Sequence, residues 1–166
     1  IEEYKKVNKI KGIEFGDRLQ KLVDSYNDRQ EEKIYAEQVL DNVAEELEKL
    51  LKDLSNDKNS FEKLGIDFEE KAFLDILEAI AKKYEFYNKY IEDHGTQYLI
   101  DLAKEIKRIV DDKSKYTDWS KKEDIKAELK VDIILKLAEF KYPPVTQDEV
   151  YKEIFEQAEN FKKYNK

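Results

Sequence analysis

The sequence carries one histidine, His94, set between Asp93 and Gly95. In acyl-transfer chemistry an imidazole serves an activated serine, and no glycine-flanked nucleophile turn occurs here to supply one. Metal sites in helix bundles pair a glutamate with a histidine three residues later. The residue three before His94 is Ile91, so that pairing is absent. His94 reads instead as a residue at a helix C-terminus, where it suits the helix dipole. With no cysteine in the chain, thiolate chemistry and disulfides are excluded. The 39 aspartates and glutamates make chance carboxylate pairs inevitable, so no acid–base pair stands out.

One constellation imitates a catalytic centre. Asp118 followed by Glu128-Leu129-Lys130 has the order of the Asp…Glu-x-Lys centres of Mg²⁺-dependent nucleases. Such centres aim the Glu and Lys from a strand, so that the carboxylates converge on a hard cation. Here the three fall at a helix start and in mid-helix, which cannot place them likewise. Neither a Gly-x-x-x-x-Gly-Lys phosphate loop nor a dinucleotide fingerprint is present. Lysines 121, 122, 126, 130, 136 and 141 tempt a DNA-binding reading, but acids at 118, 123, 124, 128, 132 and 139 match them. That matching is ordinary solvated helix surface. A net charge of −8 also makes the chain a poor generic binder of nucleic acid. No catalytic, cofactor-binding or metal-binding residue is assigned.

The elements that carry these residues are helical. Charged residues make up 42% of the chain against roughly 25% in an average domain, with only four glycines and two prolines. Eight phenylalanines, eleven tyrosines and Trp119 weigh against disorder. The length suits one domain, or one core with a satellite hairpin. No apolar run approaches the roughly 18 residues of a membrane span, and no signal peptide is visible. Absent cysteine suits a reducing cytosol. The chain begins at Ile1 and holds no methionine, so it reads as a piece of a longer protein.

Residues 1–16 are weakly patterned, and Gly12 and Gly16 are expected to break the chain. A helix is expected from Asp17, with Leu19, Leu22, Val23 and Tyr26 on one face. A longer helix follows, whose Ala36, Leu40, Val43, Leu47, Leu50 and Leu54 form a narrow coiled-coil-like seam. Residues 31–57 hold nine acids against three lysines, which reads as a solvated acidic face or, alternatively, as an acidic surface for a basic partner. Asp67 with Glu70 predicts a capping box. From there Phe73, Leu77, Ile80, Tyr84, Tyr87 and Ile91 predict one continuous helix ending at Gly95. The next helix starts at Thr96, on Leu99, Leu102, Ile106, Ile109 and Val110.

The stretch Asp118–Pro144 contains the only tryptophan and both prolines. Ser120 with Glu123 predicts a second capping box. Ile125, Leu129, Ile133, Leu137 and Phe140 make one apolar stripe, and Ala127, Val131, Ile134 and Ala138 a second beside it. Two stripes predict a helix buried over much of its girth, the central strut of the bundle. Trp119 and Tyr142-Pro143-Pro144 are expected to fix its two ends as structural residues. Thr146 with Glu149 predicts a third capping box, and Val150, Ile154, Ala158 and Phe161 line the last helix. Period-two alternation is absent, so the expectation is an all-α bundle of five to six helices with a long helix near the N-terminus. Residues 1–60 are expected to form the long-helix segment and 61–166 the bundle, or the two one continuous domain.

Asp118-Trp119-Ser120-Lys121-Lys122, continued through Ala127-Glu128-Leu129-Lys130 to Lys141-Tyr142-Pro143-Pro144, resembles the C-terminal helical region of the R (restriction, motor) subunit of type I restriction–modification enzymes. Other elements agree, in order. Tyr26-Asn27-Asp28-Arg29 is similar to a Tyr-Asn-Asn-Arg element of that family. Leu64-Gly65-Ile66 and Ala72-Phe73-Leu74-Asp75-Ile76-Leu77 resemble another, with Leu74 where a tyrosine is usual. Glu156-Gln157-Ala158 matches a Glu-Gln-Ala motif. The likeness spans about residues 16–160, and the first fifteen residues add nothing to it.

The resemblance implies a prokaryotic, cytoplasmic parent that cleaves foreign DNA after ATP-driven translocation, using ATP and Mg²⁺ in upstream domains absent from this chain. It implies a role here in assembly, with the methyltransferase (modification) subunit as partner, DNA reached only through the whole complex, and no membrane contact. A DNA-contacting accessory domain of the same motor, or an unrelated helical scaffold, are the alternatives.

Overall fold

The computed structural model describes residues 8–27, 33–58, 60–144 and 147–164. Among them the chain is all-α, with seven α-helices, two short 3-10 turns and no strand. The helices are α1 (Lys9–Asn27), α2 (Lys33–Lys58), α3 (Phe68–Lys83), α4 (Tyr87–His94), α5 (Thr96–Ser114), α6 (Glu123–Glu139) and α7 (Gln147–Tyr164). The turns are Ser60–Leu64 and Trp119–Lys121. The count exceeds the expected five to six because the pattern from Phe73 to Ile91 is split between α3 and α4.

The bundle is built around α3, not around α6. Helix α3 packs against α1, α4, α5 and α7, whereas α6 packs against α5, α7 and the Trp119 turn. Ala72, Phe73, Leu74, Ile76, Leu77, Ile80 and Ala81 of α3 are all buried, as are its Lys71 and Asp75. Asp67 starts this helix as the sequence predicts. Its carboxylate accepts the Glu70 N–H at 2.7 Å, and the Glu70 carboxylate accepts the Asp67 N–H at 2.9 Å. A cap of this kind stabilises by about 1 kcal/mol.

On α6 only one of the two stripes is used. Ile125, Leu129, Ile133 and Leu137 are buried, but Val131 is 55% exposed and Leu135 63% exposed. Ala127 and Ala138 are also exposed, and Ile134 is half-buried. The expected central strut is therefore an outer helix with an unpartnered apolar face.

Other boundaries differ from the sequence expectation for identifiable reasons. Helix α1 runs straight through Gly12 and Gly16, starting eight residues before Asp17. Asn8 makes this possible by capping it: its Oδ1 accepts the Lys11 N–H at 3.2 Å. Helices α3 and α4 are separated by a left-handed residue, Glu85 at φ 61°. The Phe86 N–H returns to the Ala81 carbonyl and the Glu85 N–H to that of Lys82, a Schellman ending without glycine. Ser120 does not cap α6. It lies in the Trp119–Lys121 turn, and Lys122 occupies the N-cap with no side-chain bond. Burial of the Trp119 ring holds residues 119–121 in that turn, which delays the helix. Thr146 lies outside the described residues.

The seam of α2 is partly covered by α1. Leu50 and Phe15 form a small buried pair with Leu19, Leu22 and Leu54 packed on it, and Leu47 stays exposed. Ala36 and Leu40 lie among side chains outside the described set. Phe68 touches both this small cluster and the main core.

Candidate functional site

Two places concentrate unusual side chains: a buried polar cluster around Asp75, and the outer face of α6. The cluster forms where the start of α1 meets α3 and α7. The Asp75 carboxylate receives the Lys71 ammonium at 2.6 and 2.7 Å and the Asn8 side-chain N–H at 2.8 Å. Asp57 Oδ1 lies 3.9 Å from the same ammonium. From α7, Gln157 Oε1 accepts the Lys9 backbone N–H at 3.1 Å. The Lys9 ammonium pairs with Glu153 at 3.1 Å and with Glu156.

Burial sets the electrostatics of this cluster. It pushes the Asp75 carboxyl above its ordinary range, against the opposing pull of Lys71, Asn8 and Lys11. Glu78 is raised as well, by burial and then by the negative charge of Asp75. For Lys11, burial lowers the pKa, yet Asp75, Glu14 and Asp57 together outweigh it and the net shift is upward. A raised carboxyl beside ammonium groups could suggest proton transfer. Here, however, the three hydrogen bonds of Asp75 come from the chain's own side chains: two from Lys71 within α3, and one from Asn8 that fastens the start of α1 to α3. Asn8 caps α1 with its oxygen while its nitrogen holds Asp75.

This cluster gives the family-like motifs a physical role. Asp75 of the Ala-Phe-Leu-Asp-Ile-Leu element and Gln157 of the Glu-Gln-Ala element both grip the start of α1. Local sequence patterns assign nothing to Asn8, Lys9 or Lys71. The available signal is Asn8, a preferred N-cap residue three before Lys11, and the glycines at 12 and 16 obscure it.

The signature residues lie at the two ends of α6. Trp119 is fully buried, its ring edge-on to Phe155 of α7 at 5.5 Å between centroids. Tyr142 is buried too, and its O–H donates to the Leu77 carbonyl of α3 at 2.8 Å. Its N–H donates to the Leu137 carbonyl at 2.9 Å in a second Schellman ending, with Lys141 left-handed at φ 61°. Pro143 is half-buried and Pro144 exposed. Tyr90 of α4 completes the arrangement, donating to the Phe140 carbonyl at 2.6 Å and lying edge-on to Tyr142. Burial raises the pKa of both tyrosines.

The residues that resemble catalytic ones are dispersed. His94 ends α4 at the surface, stacked on Tyr98 at 4.8 Å between centroids. Asp118 is a left-handed turn residue, Glu128 pairs with Lys113 of α5 at 3.0 Å, and Lys130 pairs with Asp148 at 3.2 Å. Among the described residues no group of three or more His, Asp or Glu side chains is arranged to hold a metal ion. No helix among them is long and apolar enough to cross a membrane.

The outer face of α6 leaves large apolar side chains open to solvent. Ala127, Val131, Leu135 and Ala138 run along it beside a shallow groove shared with α5. Arg108, Asp111 and Asp112 line the α5 side of that groove, and Asp132, Lys136 and Glu139 the α6 side.

Comparison with known proteins agrees with the motifs. The family model described as "Type I restriction enzyme HindI endonuclease subunit-like, C-terminal" matches residues 1–164. The type I restriction enzyme HindI endonuclease subunit of Haemophilus influenzae is 33% identical over 118 residues, 70% of this chain. The matched stretch spans 10% of that relative's length. No solved structure gives a significant match. The family match reaches the first fifteen residues, which carry none of the motifs; among them Asn8 and Lys9 are tied to the bundle through Asp75 and Gln157. By the extent of that match, the chain belongs to the family of C-terminal domains found in HindI-like type I restriction endonuclease subunits.

Proposed function

We propose that this chain is a non-catalytic helical assembly domain, which holds the restriction subunit to the methyltransferase part of the restriction–modification complex. ATP and Mg²⁺ belong to the parent's motor and nuclease domains in this reading, and DNA is reached through the whole complex. One observation carries it. The buried polar groups Asn8, Asp75 and Gln157 fasten α1 to α3 and α7, with Lys71 neutralising Asp75, while an apolar helix face is left open to solvent. A polar core committed to fastening suits a rigid mount, and an open apolar face suits a mount that binds something.

The alternative, a DNA-contacting accessory domain, finds less support. The chain's net charge is −8, and Lys113, Lys126, Lys130 and Lys136 are each paired with a carboxylate. Phosphate binding needs such cations to be available. A retention assay separates the two readings: the chain is offered the methyltransferase subunit and, separately, duplex DNA, at physiological salt. Capture of the methyltransferase subunit without DNA retention is expected. Salt-sensitive DNA retention without methyltransferase capture overturns the assembly reading.

A further inference from the structure

We propose that the outer face of α6, centred on Val131 and Leu135, is the docking surface for a basic amphipathic helix of a protein partner. Scattered exposed apolar residues are ordinary. These are not scattered: Ala127, Val131, Leu135 and Ala138 follow one line along the helix at steps of four, four and three. That spacing is how a helix presents itself to another helix. The sequence of α6 is patterned for burial on two faces, and the fold buries one. Val131 and Leu135, at 55% and 63% exposure, are the side chains left waiting for a neighbour.

Charge selects the kind of neighbour. Glu128, Asp132 and Glu139 line the edge of the stripe that faces α5, and Asp111 and Asp112 stand across the groove. The cations there are already engaged: Lys113 lies 3.0 Å from Glu128 and 3.6 Å from Asp132, Lys136 lies 2.9 Å from Glu139, and Arg108 lies 2.7 Å from Glu105. Asp111 pairs with Lys107 and Asp112 with Lys115, so Glu105, Asp111, Asp112, Glu128, Asp132 and Glu139 stand against five cations and the edge keeps a small excess of negative charge. A partner helix carrying Lys or Arg beside its apolar stripe satisfies both features. The apolar anchors hold it, and the charges steer and orient it.

This inference deepens the assembly reading by giving it a surface, and the two are tested separately. In one arm the full chain, labelled for proton–nitrogen correlation spectra, is titrated with a synthetic leucine–lysine amphipathic helix and with its leucine–glutamate counterpart. Shifts concentrated at residues 127–138, with the lysine peptide alone and weakening as salt rises, are expected. In the other arm the methyltransferase subunit is titrated with the wild-type chain and with a Val131→Gln/Leu135→Gln variant. Both substituted side chains are exposed, so the fold and urea midpoint are expected to be retained, and affinity for both probes to fall about tenfold or more. The surface is overturned if the lysine peptide leaves residues 127–138 unshifted, if both peptides bind alike, or if the folded variant binds like wild type. Lysine-peptide shifts at α6 without methyltransferase binding would support the surface and remove the assembly reading. Equal methyltransferase binding by wild type and variant would do the reverse.

Discussion

The Asp75–Lys71 pair offers a perturbation whose size follows from geometry. The Lys71 side chain is 8% exposed and that of Asp75 1%, so each charge has left water and depends on the other. Asp75→Leu strands the ammonium and removes the acceptor of the Asn8 amide. Stranding a buried charge costs about 3–5 kcal/mol, and an unpaired amide adds about 1. Asp57, 3.9 Å away, moderates the loss toward the lower end. Lys71→Met strands the carboxylate and is expected to cost a similar amount. The double variant leaves no stranded charge in the core, so it is expected to fall within about 2 kcal/mol of wild type. The upward shift of Asp75 agrees with this, because burial opposes its charge more than its neighbours favour it. Urea denaturation followed by far-UV circular dichroism measures all four corners of the cycle. With single costs of about 4 kcal/mol each and about 2 for the double variant, a coupling of about 6 kcal/mol is expected. Additive single costs, or a loss below about 1 kcal/mol for Asp75→Leu, would refute the claim that Asp75 is held as a buried ion pair where Asn8 ties α1 to α3.

The ends of α6 are open to test as well. Tyr142→Phe deletes the hydrogen bond to Leu77 and is expected to cost about 1 kcal/mol in urea denaturation. Tyr142 and Tyr90 keep their protons when folded at pH values where the unfolded chain releases them. Stability is therefore expected to fall as pH rises above about 10, by about 1.4 kcal/mol per pH unit for each tyrosine. Urea midpoints across that range should fall less steeply for Tyr142→Phe than for wild type. Lys141→Gly relieves a left-handed lysine at φ 61°. The relief of about 1–2 kcal/mol exceeds glycine's entropic cost of about 0.5–1, so a higher urea midpoint is expected. Finally, the chain supplied with Mg²⁺ is expected neither to hydrolyse ATP nor to cleave DNA, as phosphate-release and plasmid-nicking assays would read.

Local chemistry is the legible part of this sequence. Asp67 with Glu70 announces the start of α3, and the hydrophobic spacing of Leu99, Leu102 and Ile106 announces the buried face of α5. Periodicity does not reveal which of two apolar faces finds a neighbour, since that depends on packing between distant segments. Helix α6 has two stripes and buries one, while α3 is enclosed by four helices. Glu85 ends α3 in a left-handed conformation that no glycine or proline marks, whereas Pro143 marks the end of α6 near Lys141 but not the left-handed residue that makes it. At the N-terminus, contacts between Asn8 and Asp75 and between Lys9 and Gln157 favour a helix despite Gly12 and Gly16. These contacts link residues more than sixty positions apart, beyond the reach of any local pattern. The family resemblance is legible because it rests on residues such as Trp119, Asp75, Tyr142 and Gln157, which the fold uses at its joints.

Whether this chain is an assembly element for the methyltransferase subunit is a question that molecular mass can decide. Light scattering on a size-exclusion column reads the mass of the species formed when the purified chain and methyltransferase subunit are mixed at physiological salt. A co-eluting species with the summed mass of the two is predicted. Separate elution at the two individual masses, at concentrations well above those of a stable complex, would contradict the assembly role.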